Sequence, residues 1–426
     1  MNGDKKSLHF VLPYSENSYA IAKDFASNFI EYAKIPENLA ERFVNAVSEC
    51  TKNISVSSKK ELILDLSASE FSATAELSGN ILLPNSIISG LADEVLAASV
   101  REGTKIKIAV FQPDNRIFNN VDSDSAVTFA SIKGNEISRV CAMYRKYYGD
   151  IVPWSLLTVP GKMQQLISHN KLLVLGAYNK EKKLVGSIVA RIQKRPFYIE
   201  IYPSAPSNNT IWESKAVEFL LGKIKFLKPD WILRYINDYP PFLSTSVGTM
   251  IPIGLMLHHS FSRPMQIVGR VFRSSKINEF YVPPQYSDSF ATTMEMLGIP
   301  TKNMNPNMKN PSDKKLKYIL KYESRNNTAV VRIKSYGVKI SHSVMIISNI
   351  FGGIARKKRG TLYLDLPLSE PITAPLGEKL ISSGFAILGY IPGNFLRLQK
   401  IIGKQLSLDG IELPENLAMF AETLGL

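Results

Sequence analysis

Apolar and polar positions change period several times along this chain, and the changes divide it. Between Lys171 and Glu213 two apolar, β-branched runs, Leu172–Tyr178 and Leu184–Gln193, flank the charged turn Asn179–Lys183. That pattern predicts an antiparallel hairpin. Phe197–Tyr202 alternates aromatic, polar and aliphatic residues and predicts a third strand. The loop Pro203–Thr210 leads into a helix over Ile211–Leu227, where Val217, Leu220, Leu221, Ile224 and Leu227 recur at helical spacing.

Upstream, Leu8–Leu12 predicts a short strand, and Asn17–Tyr32 a helix on Tyr19, Ala22, Phe25, Phe29 and Ile30. Pro36 opens a second helix. Its core stripe is Leu39, Phe43, Ala46, Val47, Cys50 and Ile54, and its polar face carries Arg42, Asn45, Glu49, Lys52 and Asn53. Strands follow at Glu61–Leu66, Phe71–Leu77 and Thr104–Phe111. Gln112–Ser125 is polar and turn-rich and predicts a linker. Val127–Ile132 predicts a strand, and Asn135–Tyr148 and Pro160–His169 predict helices. Beyond the central hairpin come strands at Trp231–Asn237, Leu255–His259 and Ile267–Phe272, then an extended Pro-Pro segment and helix over Tyr281–Gly298. Ile299–Asp313 predicts a second linker. The remainder predicts strands at Lys317–Glu323, Ala329–Lys334, Thr361–Leu366 and Phe395–Ile402, with helices at Ser343–Ile350 and Thr373–Ser382. Gly384 supplies the freedom that a helix C-cap needs.

The class expected is α+β, with an N-terminal α/β sandwich over 1–112, a central mixed sheet with flanking helices over 126–298, and a smaller α/β module over 314–426. Two helices, a hairpin and a strand–loop–helix resemble the heart of the GNAT acetyltransferase fold. The resemblance implies that the loop and the helix N-terminus hold the pyrophosphate of acetyl-CoA. Asn208, Asn209, Thr210 and Ile211 occupy those positions, and Tyr239–Gly254 stands where the family places a helix. It also implies a base near the amine and an acid near the leaving thiolate. Glu200 is the candidate base and Tyr239 the candidate acid, although an outward-facing strand residue and a packed aromatic at Tyr239-Pro240-Pro241 would look the same. His258 and His259, as neighbours on a strand, are expected to face opposite ways.

The strand, helix and Glu49-Cys50-Thr51-Lys52-Asn53 of the first 112 residues resemble the anti-sigma-factor serine-kinase branch of the GHKL, or Bergerat, ATP-binding fold. That resemblance implies that Glu49 activates a hydroxyl and Asn53 ligates magnesium. The family's Asp-x-Gly-x-Gly turn is replaced by Glu76-Leu77-Ser78-Gly79-Asn80, and the glycine-rich lid is missing. ATP–Mg is therefore not expected. The string Leu364–Pro371, with Gly384-Phe385 and Leu396–Gln399, resembles the half-GNAT module found at the end of proteins in which a GNAT domain is fused behind an anti-sigma-type ATPase domain. Arg397 there reads as a phosphate partner or a solvated charge.

Composition narrows the classes further. The 426 residues are 45% hydrophobic and 21% charged, as in a globular protein, and imply about two to four domains. No apolar run reaches the ~20 residues of a membrane span, MNGDKKSLHF lacks a signal-peptide core, and no membrane partner is expected. Cys50 and Cys141 give neither a disulfide framework nor a metal cluster, so buried thiols in a reducing cytoplasm are expected. The net charge of +14 raises a polyanion partner, but no nucleic-acid motif supports one.

Three functions follow, in order. The first is a regulatory protein with little or no catalysis that binds a protein partner through its first domain, because both phosphate-holding motifs have lost their glycines. The second is an N-acetyltransferase using acetyl-CoA. The third is an ATP-dependent serine kinase.

Overall fold

The computed structural model describes residues 6–12, 17–52, 61–69, 72–79, 91–100, 103–112, 127–132, 134–150, 152–194, 196–206, 210–237, 243–261, 263–273, 278–304, 317–336, 347–348, 351–352, 359–403, 413–414 and 416–417. In chain order the first elements are β1 (Lys6–Leu12), α1 (Ser18–Ala33), α2 (Glu37–Lys52), β2 (Leu62–Ser69), β3 (Ser72–Gly79), β4 (Glu94–Val100) and β5 (Gly103–Phe111). Next come β6 (Thr128–Ser131), α3 (Ile137–Tyr148), α4 (Pro160–Ser168), β7 (Leu172–Tyr178), β8 (Leu184–Lys194), β9 (Phe197–Ile201), α5 (Thr210–Lys225), β10 (Trp231–Ile236), β11 (Ile251–Met256) and β12 (Met265–Val271). The last are β13 (Asn278–Phe280), α6 (Ser287–Met296), β14 (Thr301–Asn303), β15 (Lys317–Glu323), β16 (Thr328–Ser335), β17 (Gly360–Pro367), α7 (Thr373–Ser382), β18 (Ala386–Ile391) and β19 (Phe395–Ile402). The chain clusters into two units, one of residues 1–114, 159–162 and 312–364, the other of 115–158, 163–311 and 365–426. The stretch from residue 314 onward is thus shared between them.

In the first unit, β1 pairs with β2, β2 with β3, β3 with β5, β5 with β4, and β4 with β15, all antiparallel. Leu62, Leu64, Leu66 and Ala68 point to the core on alternate positions of β2. The stripes Ala22–Ala26–Phe29 and Leu39–Phe43–Ala46–Cys50 of α1 and α2 are buried as their period requires. The strand β4 was not expected. Its core residues Val95 and Ala97 are too few and too small to stand out in the sequence. Asp93, just before it, accepts the Phe111 N–H at 2.7 Å and pairs with Arg42 of α2 at 2.8 Å. The Cys50 thiol is buried, and that burial, reinforced by Glu49, pushes its pKa upward.

The β4–β15 register sets Glu94 opposite Glu323. Like charges directly opposite destabilise a sheet. Two ammonium groups offset them. Lys162, 4% exposed, lies 2.7 Å from Glu323 and 3.4 Å from Glu94, and Lys321 reaches both carboxylates. Burial alone would raise the Glu323 carboxyl, but Lys162 and Lys321 hold it well below the usual range.

In the second unit β6, β7, β8 and β9 form an antiparallel meander. Then β9 pairs with β10 in parallel, with α5 as the crossover between them. β10 pairs antiparallel with β12, and β12 with β11. The face of α5 bearing Ala216, Val217, Leu220, Leu221 and Ile224 is buried in a core with Ile188, Ile199, Ile201 and Ile232. β11 meets β18 at Gly254 and Gly389, where the backbones touch. A Cβ on Gly389 would lie 2.2 Å from the Ile253 carbonyl, at φ +133°.

The helix expected at Tyr239–Gly254 is not there over its described part. Leu243 and Met250 bridge each other and β11 already begins at Ile251, because Pro252 and Gly254 sit in a fully buried strand run. Arg397 is neither a phosphate partner nor a solvated charge. It grips the fully buried Asp365 with two bonds, of 2.7 and 3.1 Å. Burial lowers the guanidinium pKa, and Asp365 more than reverses this. The Ser343–Ile350 helix lies largely outside the described residues. α7 keeps its expected bounds, and Gly384 sits at φ +83° just past its end.

Two expected outcomes follow from the buried charges. Asp365→Ala removes both of the bonds that hold the buried Arg397 guanidinium to Asp365 and lowers stability by about 3–5 kcal/mol, measured by urea unfolding. Because the folded Glu323 carboxyl is depressed, its contribution is complete above its unfolded pKa of about 4.3 and is lost as pH falls below that value. The Glu323→Gln variant should therefore lose less stability than the parent between about pH 5 and pH 3. Equal slopes would refute the assignment.

Candidate active site

The register of β8 and β9 runs evenly from Lys194↔Phe197 to Ala190↔Ile201. The next bridge is Ser187↔Ala205, three steps along β8 from Ala190 but four along β9 from Ile201. One residue is extra, so β9 carries a bulge between Ile201 and Ala205. Tyr202 N–H still donates to Val189 O at 2.9 Å, and Ser187 and Ala205 exchange both backbone bonds at 2.7 and 2.9 Å. The strand therefore stays with β8. Its parallel pairing with β10 ends at Ile201↔Arg234. Beyond that point the two strands form a fork.

Aromatic side chains stand at the mouth. The rings of Tyr202 and Tyr235, each the first residue past the last pair, lie 5.9 Å apart and within 4° of parallel. Trp154 packs on both, at 5.1 and 4.8 Å. Two tyrosines one turn apart on α3 reach the bulge. Tyr144 donates to Pro203 O at 3.0 Å, and Tyr148 to Ser204 O at 2.6 Å. Burial, with the acidic groups around it, pushes the Tyr144 phenol up, so it is a donor at neutral pH. Ser204 is 1% exposed, and its Oγ has no hydrogen-bond partner among the described residues.

Glu200 lies on β9, half-buried, opposite Arg191. The Tyr202 hydroxyl donates to its Oε2 at 2.9 Å. Burial raises the Tyr202 phenol, and Glu200 raises it further. Burial lowers Arg191, but Tyr202, Glu200 and Tyr198 together carry it upward. Glu200 is thus a side chain held by the Tyr202 hydroxyl next to the fork, with Arg191 across from it on β8. α5 begins at Thr210, so the backbone of Thr210 and Ile211 is its first turn, whose N–H groups have no intrahelical acceptor. Gly186 admits this helix, since a Cβ there would lie 2.7 Å from the Trp212 ring. Asn208, Asn209 and Tyr239 lie outside the described residues, as do the Thr210 and Ile211 side chains.

The two histidines depart from expectation. The strand stops at Met256, so His258 and His259 lie past its end, both buried, with rings 4.2 Å apart. His258 Nδ1 is 2.6 Å from Ser260 Oγ. Its ring touches Phe261, which meets Trp154. Strand alternation does not apply to them. In the first unit, Glu49 pairs with Lys52 on its own helix at 2.5 Å, and Asn53 lies outside the described residues. Among the described residues no group of three metal-ligating side chains occurs, and no helix is long and apolar enough to cross a membrane.

No family model matches the chain, and no curated protein matches it. Solved structures do. A ribosomal-protein-S5-alanine acetyltransferase from Vibrio fischeri is 11% identical over 37% of this chain and 99% of its own, with a TM-score of 0.27. A spermidine N-acetyltransferase from Vibrio cholerae is 10% identical over 35% and 95%, at 0.25. A GNAT superfamily phosphinothricin acetyltransferase from Sinorhizobium meliloti, in complex with AcCoA, is 14% identical over 34% and 88%, at 0.28.

The contact between Gly186 and Trp212 gives an expected outcome. Gly186→Ala should lower stability by about 1–3 kcal/mol through overpacking, read by thermal or urea unfolding.

Proposed function

We propose that the second unit is a GNAT-type domain that binds acetyl-CoA at the β9–β10 fork and transfers the acetyl group to an amine. The observation that carries this reading is the bulge. It parts two parallel strands beside a crossover helix whose first turn follows closely in the chain. A narrow thiol-ester arm fits such a slot, and the buried, unpartnered hydroxyl of Ser204 offers it a hydrogen bond. Backbone N–H groups from Thr210 and Ile211 onward take the pyrophosphate, because they and the helix dipole favour an anion. Asn208 and Asn209 add side-chain donors there. Acetyl-CoA supplies the activated acetyl group. Glu200, held by Tyr202 and faced by Arg191, positions the amine and accepts its proton, and Tyr239 returns a proton to the thiolate.

A second reading keeps the fold and drops the chemistry. It is favoured by the two α3 tyrosines, which already occupy the Pro203 and Ser204 carbonyls, and by the aromatic stack in the fork. The protein is then a regulatory scaffold, with its protein partner at the first unit.

Ligand-dependent melting separates the two. Acetyl-CoA or CoA at a hundred times its dissociation constant stabilises a folded protein by about 2.7 kcal/mol. A rise in melting temperature with both, and none with ATP–Mg, is the expected result. No rise with either would leave the scaffold reading. With a rise in hand, Glu200→Gln should keep the shift and lower turnover by about 10²–10⁴-fold. Unchanged turnover would remove Glu200 from the chemistry.

A further inference from the structure

At the other end of α5, about 24 Å from its first turn, the second unit has a cavity of about 300 Å³. Lys225, Lys228 and Arg273 line it together with Ile232, Val247 and Phe272. The three cations are exposed, and none of their side chains has an ion-pair or hydrogen-bond partner among the described residues. Their grouping is built by the fold. Lys225 ends α5. Lys228 turns the chain at φ +51°, with its N–H on the Lys225 carbonyl at 3.2 Å. Arg273 follows Phe272, whose N–H is fixed to the Asp230 carbonyl at 2.9 Å.

Two carboxylates, Glu218 and Asp230, are near, and neither forms an ion pair with the three cations among the described residues. Both oxygens of Glu218 receive the N–H of Ser246, a lining residue, at 3.2 Å. A helix C-terminus carries about half a negative charge, against three whole positive ones. Two lysines in the last turn of a helix would be explained by the dipole alone. An arginine from the end of β12 converging on the same hollow is not. The lining also includes apolar side chains, and large apolar residues next to it in the chain are exposed. Phe226 is 86% exposed, Phe272 42% and Leu227 40%.

We propose that this cavity binds a phosphate ester whose organic part is apolar or aromatic. The guanidinium fork of Arg273 and the two ammonium groups take the dianion. Phe272, Val247 and Ile232 take the organic part, in a volume at the lower end of that of small-molecule sites. The chemistry is shared by a soluble aryl phosphate and by a lipid phosphate headgroup, for which Phe226 and Leu227 would enter the bilayer interface. The site is remote from the fork and does not depend on acetyl-CoA binding there.

The test uses the full chain. Calorimetric titration should give phenyl phosphate a dissociation constant at least about tenfold below that of inorganic phosphate, since each charge-assisted bond and each buried apolar group contributes on that scale. Lys225→Gln/Arg273→Gln should weaken phenyl phosphate by about tenfold or more. Lys223→Gln, on the same helix but outside the cavity lining, should leave it unchanged. Co-sedimentation with phosphatidic acid vesicles, absent with phosphatidylcholine and lost in Phe226→Ser, would identify the lipid as the source. Phenyl phosphate binding without sedimentation would identify a soluble ester. The proposal fails if neither phenyl phosphate nor phosphatidic acid binds. It fails equally if inorganic phosphate binds as tightly as phenyl phosphate, or if Lys223→Gln weakens binding as much as the double variant. Unchanged melting temperatures of the variants confirm that they fold.

Discussion

Between Ile201 and Ala205 the chain places one residue more than its partner strand can pair, and the second unit is arranged around that surplus. A strand with an unpaired residue bends, and it cannot keep both neighbours. β9 keeps β8, through the Tyr202 and Ala205 backbone bonds, and leaves β10 after Arg234. α5 then has to cross over the sheet, and its apolar face fixes where it starts. Trp212 lies in the space that Gly186 leaves, and the stripe Ala216–Leu220–Ile224 seals the core. The parting of β9 from β10 lies at this irregularity, between the regularly paired Glu200 and the first turn of α5.

Buried charge is handled alike in both units. In the first, Glu94 and Glu323 would repel across β4 and β15 were Lys162 and Lys321 not set against them, with Asn326 donating to the remaining oxygen of Glu323 at 3.1 Å. In the second, Asp365 has no exposed surface and is met by two parallel bonds from Arg397. A buried pair adds little over a well-packed apolar substitute, yet losing one member costs several kcal/mol. A shift of β15 by one residue would leave Glu323 on the wrong face, away from Lys162.

The helices and most strands were legible in the sequence because their period is local. α1 and α7 sit within a residue of their expected limits, and Gly384 takes the left-handed conformation its position required. What was not legible depends on partners distant in sequence. No spacing in Phe197–Ala205 announces a bulge, since it is defined only against β8. The family resemblance implies a helix over Tyr239–Gly254, whereas the end of that stretch, from Ile251, pairs with β12 as strand. The apolar run predicts a strand that reaches His259, but the strand ends at Met256, and beyond it the His258 and His259 rings come together beside the turn that His258 O closes with Phe261 N–H. Arg397 was weighed as a lone strand cation, with Asp365 thirty-two residues away and unrecognised. Of the site, Glu200 was visible as a carboxylate before a loop. The aromatic residues around it were visible only as core.

The two α3 tyrosines hold the bulge with bonds of modest size. The hydroxyls of Tyr144 and Tyr148 on the Pro203 and Ser204 carbonyls each contribute about 1 kcal/mol net. A ligand of micromolar affinity brings about 8 kcal/mol. Carbonyl oxygens also have two lone pairs, so an occupied one can accept again. The tyrosines fix the bulged backbone more than they obstruct it. With both carbonyls anchored to α3, the segment from Tyr202 to Ala205 cannot relax back toward β10, which preserves the parting of the strands in the absence of a ligand. An anchored fork spares the incoming group the entropy of ordering a loose loop. The unpartnered hydroxyl of Ser204 is the part of that arrangement that folding alone leaves unsatisfied. A buried hydroxyl in that condition costs about 1–3 kcal/mol, a cost that a hydrogen-bonding ligand in the fork would remove.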